Sequence, residues 1–190
     1  MPKLGMEPIR RTALVEATIA ELASKGSLDV TVGQIAKRAG MSTALAHHYF
    51  GGKDQIFLAA MRQILHDFGA EVRQGLARAS TPKARAVSLI EASFSDTCFS
   101  PQTVSAWMTL YAQAQTNREM LRLLQLYQRR LKSNLSHALR PLTSRPEAHA
   151  ETLAALIDGL YLRAALSRSQ SPDAARRTAL ETLNTLLEER

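Results

Sequence analysis

This chain has little of what most catalytic and cofactor chemistry needs. Its 190 residues include one cysteine, Cys98. No intrachain disulfide can form, and a cysteine-rich metal site is excluded. A lone cysteine suits a reducing cytoplasm, and Cys98 is expected to be a small buried hydrophobe. No Gly-rich phosphate loop appears, and no Ser/His/Asp or Cys/His catalytic arrangement stands out. His47 and His48 are adjacent, which on a helix turns them about 100° apart, and no third metal ligand is placed nearby. No run approaches the ~18 apolar residues of a membrane span. The start, M-P-K-L-G-M-E-P, lacks the apolar stretch of a signal peptide. Aromatic residues make up only 5% of the chain, with a single tryptophan.

What is present is helical. Hydrophobic residues are 45% and charged residues 22%, an ordinary globular balance. The net charge of +7 permits a polyanionic partner. Nearly every segment repeats its apolar residues at the helical period, and no strand pattern appears. The expectation is an all-α chain of nine helices: three in an N-terminal head, one connector and five behind. The predicted division is residues 1–52 as head and 53–190 as the remainder.

The most informative stretch runs from Thr31 to Lys53, T-V-G-Q-I-A-K-R-A-G-M-S-T-A-L-A-H-H-Y-F-G-G-K. Thr31 and Gln34 form a capping box for one short helix. Gly40 can take the left-handed conformation that ends it. Ser42 caps a second helix from Thr43 to Phe50, with Ala46, Tyr49 and Phe50 turned to the core. Thr43, Ala44, Leu45, His47 and His48 are left largely outside. This is the pattern of a helix-turn-helix whose second helix enters the DNA major groove. Lys3, Arg10, Arg11, Lys37, Arg38 and Lys53 flank it. Arg10, Arg11, Thr31 and Lys53 are expected mainly at phosphates, with Ser42 at the start of the reading helix.

The first helix is predicted from near Pro8 to Gly26. From Lys53 a connector runs to about Arg78. Behind it, capping residues followed by proline open helices at Thr81-Pro82, Ser100-Pro101, Arg145-Pro146 and Ser171-Pro172, and Asn117 opens another. Their predicted ends are near Thr97, Thr116, Arg168, the C-terminus and Arg140 respectively. The last two helices carry Leu153, Leu156, Ile157, Leu160 and Ala164, then Leu180, Leu183, Leu186 and Leu187. Such a pair either closes the core or meets a second copy in a two-fold four-helix bundle. A homodimer would set two reading helices ~34 Å apart.

The head, T-V-G-Q-I-A-K-R-A-G-M-S with H-Y-F-G-G-K-D, resembles the TetR family of bacterial transcriptional regulators, as does the nine-helix layout. Many members have K-G-T-L-Y-Y-H-F where this chain has T-A-L-A-H-H-Y-F, so the operator it reads is its own. Further runs are similar to the branch of that family that represses genes for making glycine betaine from choline. These are M-P-K-L-G-M-E-P-I-R-R, R-R-L-x-S-N-L from Arg129 to Leu135, and A-A-L-I-D-G-L-Y-L-R-A-A-L-S from Ala154 to Ser167. The resemblance implies a cytoplasmic homodimeric repressor of operator DNA, no enzyme, with choline as effector and no cofactor.

A choline sensor needs aromatic faces for the quaternary ammonium and a polar partner for the hydroxyl. Trp107 and Tyr111, four apart on one helix face, are the first candidates, then Phe94, Phe99, Tyr127 and Tyr161. Asp96 is the candidate acid, with Glu91 and Asp158 as others. Asp158 could equally be an interface or helix-packing residue, and the rings could simply be core. A repressor of efflux genes sensing lipophilic cations, or a helical scaffold or small enzyme without DNA binding, would fit the composition as well.

Overall fold

The computed structural model describes residues 5–25, 30–167 and 171–188. Lys3, Gly26 and Arg168 lie outside the described residues. Among the described residues there are nine helices and no strand. They are α1 (Met6–Lys25), α2 (Val32–Arg38), α3 (Thr43–Phe50), α4 (Lys53–Arg78), α5 (Pro82–Ser93), α6 (Pro101–Ala114), α7 (Arg118–Leu139), α8 (Pro146–Leu166) and α9 (Pro172–Glu188).

The starts follow the sequence closely because each cap satisfies backbone amides that the helix leaves bare. Thr81 accepts from the amide of Ala84, Ser100 from Thr103, and Asn117 from Glu119 and Met120. Arg145 provides no side-chain cap to α8. Instead its own amide donates to Thr143 Oγ1.

The ends differ more. α5 stops at Ser93 rather than near Thr97, because Phe94 leaves the helical conformation (φ −116°, ψ 20°). Residues 94–99 then form a turn that buries two rings, Phe94 and Phe99, 5.2 Å apart. Tyr161 holds this turn from beneath, its hydroxyl 2.6 Å from the Ser93 carbonyl and 2.8 Å from that of Cys98. Likewise α6 ends at Ala114 and α8 at Leu166.

One apolar core runs without a break from Leu14 in α1 to Leu183 in α9. α1 is the bridge: it packs on α2, α3 and α4, and also against α6 behind them. The 26-residue α4 spans about 40 Å and packs against α5. The two helices pack tightly at Gly75, where an added Cβ would meet the Ser88 Cβ at 2.9 Å. α7 packs between α5, α6 and α8, and α9 lies on α8 and α5. No helix among the described residues is long and apolar enough to cross a membrane.

Candidate functional site

In the head, the capping box at Thr31 and Gln34 is complete, and the Ser42 hydroxyl accepts from the Leu45 amide. Gly40 takes φ 67°, the left-handed conformation that lets α3 fold back across α2. The two helices come so close that Gly33 lies against the Thr43 hydroxyl. Ala46 is buried, and Tyr49 and Phe50 are half-buried against the core. Thr43, Ala44, His47 and His48 form the exposed side of α3, while Leu45 is half-buried. His47 Nδ1 lies 3.1 Å from the Gly51 carbonyl. That carbonyl only accepts, so Nδ1 donates and Nε2 is left facing outwards.

The basic residues are more engaged than a phosphate role alone requires. Arg11 pairs with Glu7 at 2.9 Å and lies over the Phe50 ring, 4.9 Å from its centroid. Arg10 donates to the Tyr49 hydroxyl at 3.3 Å. Together they tie the start of α1 to the reading helix. Arg38 pairs with Glu21 of α1, and Lys53 is exposed at the first position of α4. The Thr31 hydroxyl serves its own cap.

Behind the head, the six rings picked from the sequence form one network. Trp107 of α6 is 4% exposed. Its ring stands 4.4 Å from Tyr127 of α7, 5.9 Å from Tyr111 and 6.2 Å from Tyr161 of α8, centroid to centroid. Tyr161 continues the network to Phe99 at 4.8 Å and Phe94 at 6.1 Å. The angles are tilted or edge-on, the arrangement ring quadrupoles prefer.

Of the candidate acids, the structure brings Asp158 to these rings. Gln128 donates to its Oδ2 at 3.4 Å, and the Tyr111 hydroxyl lies near the same carboxyl. Burial pushes the Asp158 carboxyl above the usual carboxylate range, opposed by the neighbouring Tyr111 and Gln128. Burial likewise raises the hydroxyls of Tyr111, Tyr127 and Tyr161, and the charge of Asp158 adds to each. No Lys, Arg or His pairs with Asp158 among the described residues. Asp96 is exposed on the 94–99 turn, because the early end of α5 directs Phe94 inwards and leaves Asp96 at the rim. Glu91 is exposed as well. The signal for Asp158 in the sequence was an acid inside an apolar α8 stretch, one turn before Tyr161. Among the described residues no group of three His, Cys, Asp or Glu side chains could hold a metal ion.

Comparison with known proteins bears on both parts. Residues 14–60 match the bacterial regulatory proteins, tetR family, and residues 82–188 match the family described as BetI-type transcriptional repressor, C-terminal. The HTH-type transcriptional regulator BetI of Brucella melitensis is 50% identical over 95% of this chain and 91% of its own length. The regulator of the same description from Agrobacterium fabrum is 47% identical over 87% of this chain and 82% of its own. Among solved structures, a TetR transcription regulator from Haloarcula marismortui superposes with a TM-score of 0.84 at 22% identity, covering 94% of this chain and 98% of that one. A putative transcriptional regulator from Saccharomonospora viridis, solved in complex with choline, has a TM-score of 0.80 at 23% identity, covering 92% and 95%. The nine helices, the helix-turn-helix and the two family matches agree: this chain belongs to the TetR family and is a BetI-type transcriptional repressor, not an enzyme.

Proposed function

We propose that this repressor controls genes that convert choline to glycine betaine, and that choline bound at Trp107 and Asp158 weakens its hold on the operator. The observation that carries the reading is Asp158, a half-buried carboxylate beside aromatic rings with no cationic side chain paired to it among the described residues. Removing a carboxylate from water is costly unless a positive charge meets it. A quaternary ammonium supplies that charge without needing a hydrogen bond, and ring faces hold its methyl groups. The Tyr111 hydroxyl and the Gln128 amide, both at Asp158, offer polar partners to the choline hydroxyl. The choline complex of the Saccharomonospora viridis regulator supports the reading.

The rings limit the size of the cation. Trp107 and Tyr127, 4.4 Å apart, admit no trimethylammonium group between them. The corners Trp107–Tyr111 and Trp107–Tyr161, at 5.9 and 6.2 Å, are also too close for a trimethylammonium group to lie between the two ring faces. A bulky lipophilic cation needs a far wider separation. Choline therefore displaces Trp107 or its neighbours on binding. These rings sit on α6, α7 and α8, and α6 packs on α1 of the head. The ligand thus biases the heads between spacings that fit and misfit the operator.

On the DNA side, Arg10, Arg11, Thr31, Ser42 and Lys53 act at the backbone, and Thr43, Ala44, Leu45, His47 and His48 at or near base edges. Two copies join through α8 and α9. α8 leaves Leu162 and Leu166 48% and 79% exposed, an apolar face that a second copy covers. The deciding experiment is a gel shift on the DNA upstream of this gene, with and without choline, alongside Trp107 fluorescence. Choline quenches the tryptophan and weakens the shift. A response to tetraphenylphosphonium with none to choline overturns the proposal.

A further inference from the structure

We propose that a polar clamp between α7 and the first turn of α4 carries the state of the ligand site to the DNA-reading head. The proposal rests on the choline reading above. Asn117 Nδ2 donates to Asp54 Oδ2 at 3.1 Å, and Gln55 Nε2 donates to Glu119 Oε2 at 2.8 Å. Two hydrogen bonds thus join adjacent residues of α4 to the cap and first turn of α7.

Both atoms of the Asn117 amide are committed. While Nδ2 holds Asp54, Oδ1 caps α7 by accepting from the amides of Glu119 and Met120 at 3.0 and 3.3 Å. Asp54 is thereby fixed to the axis of α7 rather than to a loose loop. The same helix carries Tyr127 against Trp107 and Gln128 against Asp158. At 1.5 Å per residue, those positions lie about 15 Å from Asn117 along one rigid rod. A tilt of α7 at the rings moves Asn117 and Glu119 with it.

The grip is at the junction where the head meets the connector. Asp54 and Gln55 follow Lys53, and the C-cap of the reading helix is Gly51. Farther along, α4 meets α7 through the Phe68–Tyr127 ring contact, at 5.9 Å. Apolar contacts tolerate sliding, whereas hydrogen bonds of defined geometry select one register. The clamp therefore converts a displacement of α7 into a displacement of the head. The four side chains are exposed or half-exposed, so the bonds contribute little to stability and can be broken without unfolding the chain.

The test uses the full chain, choline chloride and the upstream operator. N117D keeps a capping oxygen for α7 and sets a second carboxylate against Asp54. D54N/N117D reverses donor and acceptor and restores the bond. Choline affinity is read from Trp107 fluorescence, and operator affinity by titration with and without saturating choline. In N117D, choline affinity and choline-free operator affinity stay within about three-fold of wild type. The weakening of operator binding by choline falls about five-fold or more, and D54N/N117D recovers it. Undiminished coupling in N117D, or a lost coupling that D54N/N117D fails to recover, overturns the clamp and leaves the α6–α1 contact as the route. A wild-type protein that binds no choline overturns the choline reading and the proposal with it. Choline binding with intact coupling in N117D rejects the clamp alone.

Discussion

Replacing Asp158 by Asn removes one charge while keeping the shape and a hydrogen-bonding oxygen for Gln128. A quaternary ammonium in direct contact with that carboxylate has its charge roughly 5 Å away. At an effective dielectric constant of about 20, the attraction is on the order of 3 kcal/mol. Asp158 is only half-buried, so solvent screening reduces this to about 1.5–2 kcal/mol, or roughly a 10- to 30-fold weaker choline affinity in D158N. Titration of the fluorescence of the only tryptophan, Trp107, measures it directly. The pH dependence sharpens the test. Burial raises the Asp158 carboxyl, and choline favours its charged form, so affinity declines as pH falls through the raised value. In D158N that decline disappears. The sign is reversed for folding without ligand. A carboxyl raised in the folded state removes stability as pH climbs from the unfolded value through the folded one. D158N therefore melts higher than wild type at neutral pH when choline is absent. D158N that binds choline within two-fold of wild type, with an unchanged pH profile, refutes the role of Asp158 as counter-ion.

Three further outcomes test the framework. Ser42→Ala removes the N-cap of the reading helix and costs about 1 kcal/mol, seen as a lower denaturant midpoint and weaker operator binding. His47→Ala lowers operator affinity by about 1 kcal/mol or more while the slope of affinity against salt is unchanged, because an edge contact neutralises no phosphate. Gly75→Ala sets a Cβ 2.9 Å from that of Ser88 and forces α4 off α5. Overpacking of that kind costs about 1–3 kcal/mol, which lowers the melting temperature by several degrees in calorimetry.

Helix starts were legible because capping is local. Thr31, Ser42, Thr81, Ser100 and Asn117 each satisfy amides two or three residues away, and all five cap as read. Helix ends were less legible because tertiary contacts compete there. Nothing in the run from Phe94 to Thr97 announces a break. The break follows from burying Phe94 and Phe99 together and from the Tyr161 hydroxyl reaching two carbonyls from α8. The acid was obscured for a similar reason. Asp96 and Asp158 both stand within three residues of an aromatic in the sequence, and only the packing of α6, α7 and α8 puts one beside the rings and the other at the rim.

By itself the sequence determined the all-helical class, the hairpin at Gly40 and the set of rings behind the connector. These depend on period, capping and composition, which act over a few residues. The tertiary structure alone decided which acid meets the rings, how Arg10 and Arg11 brace the reading helix, and how α7 grips Asp54 and Gln55. Each of those pairings joins residues distant in sequence, and only the shared core of the nine helices brings them within a few ångströms.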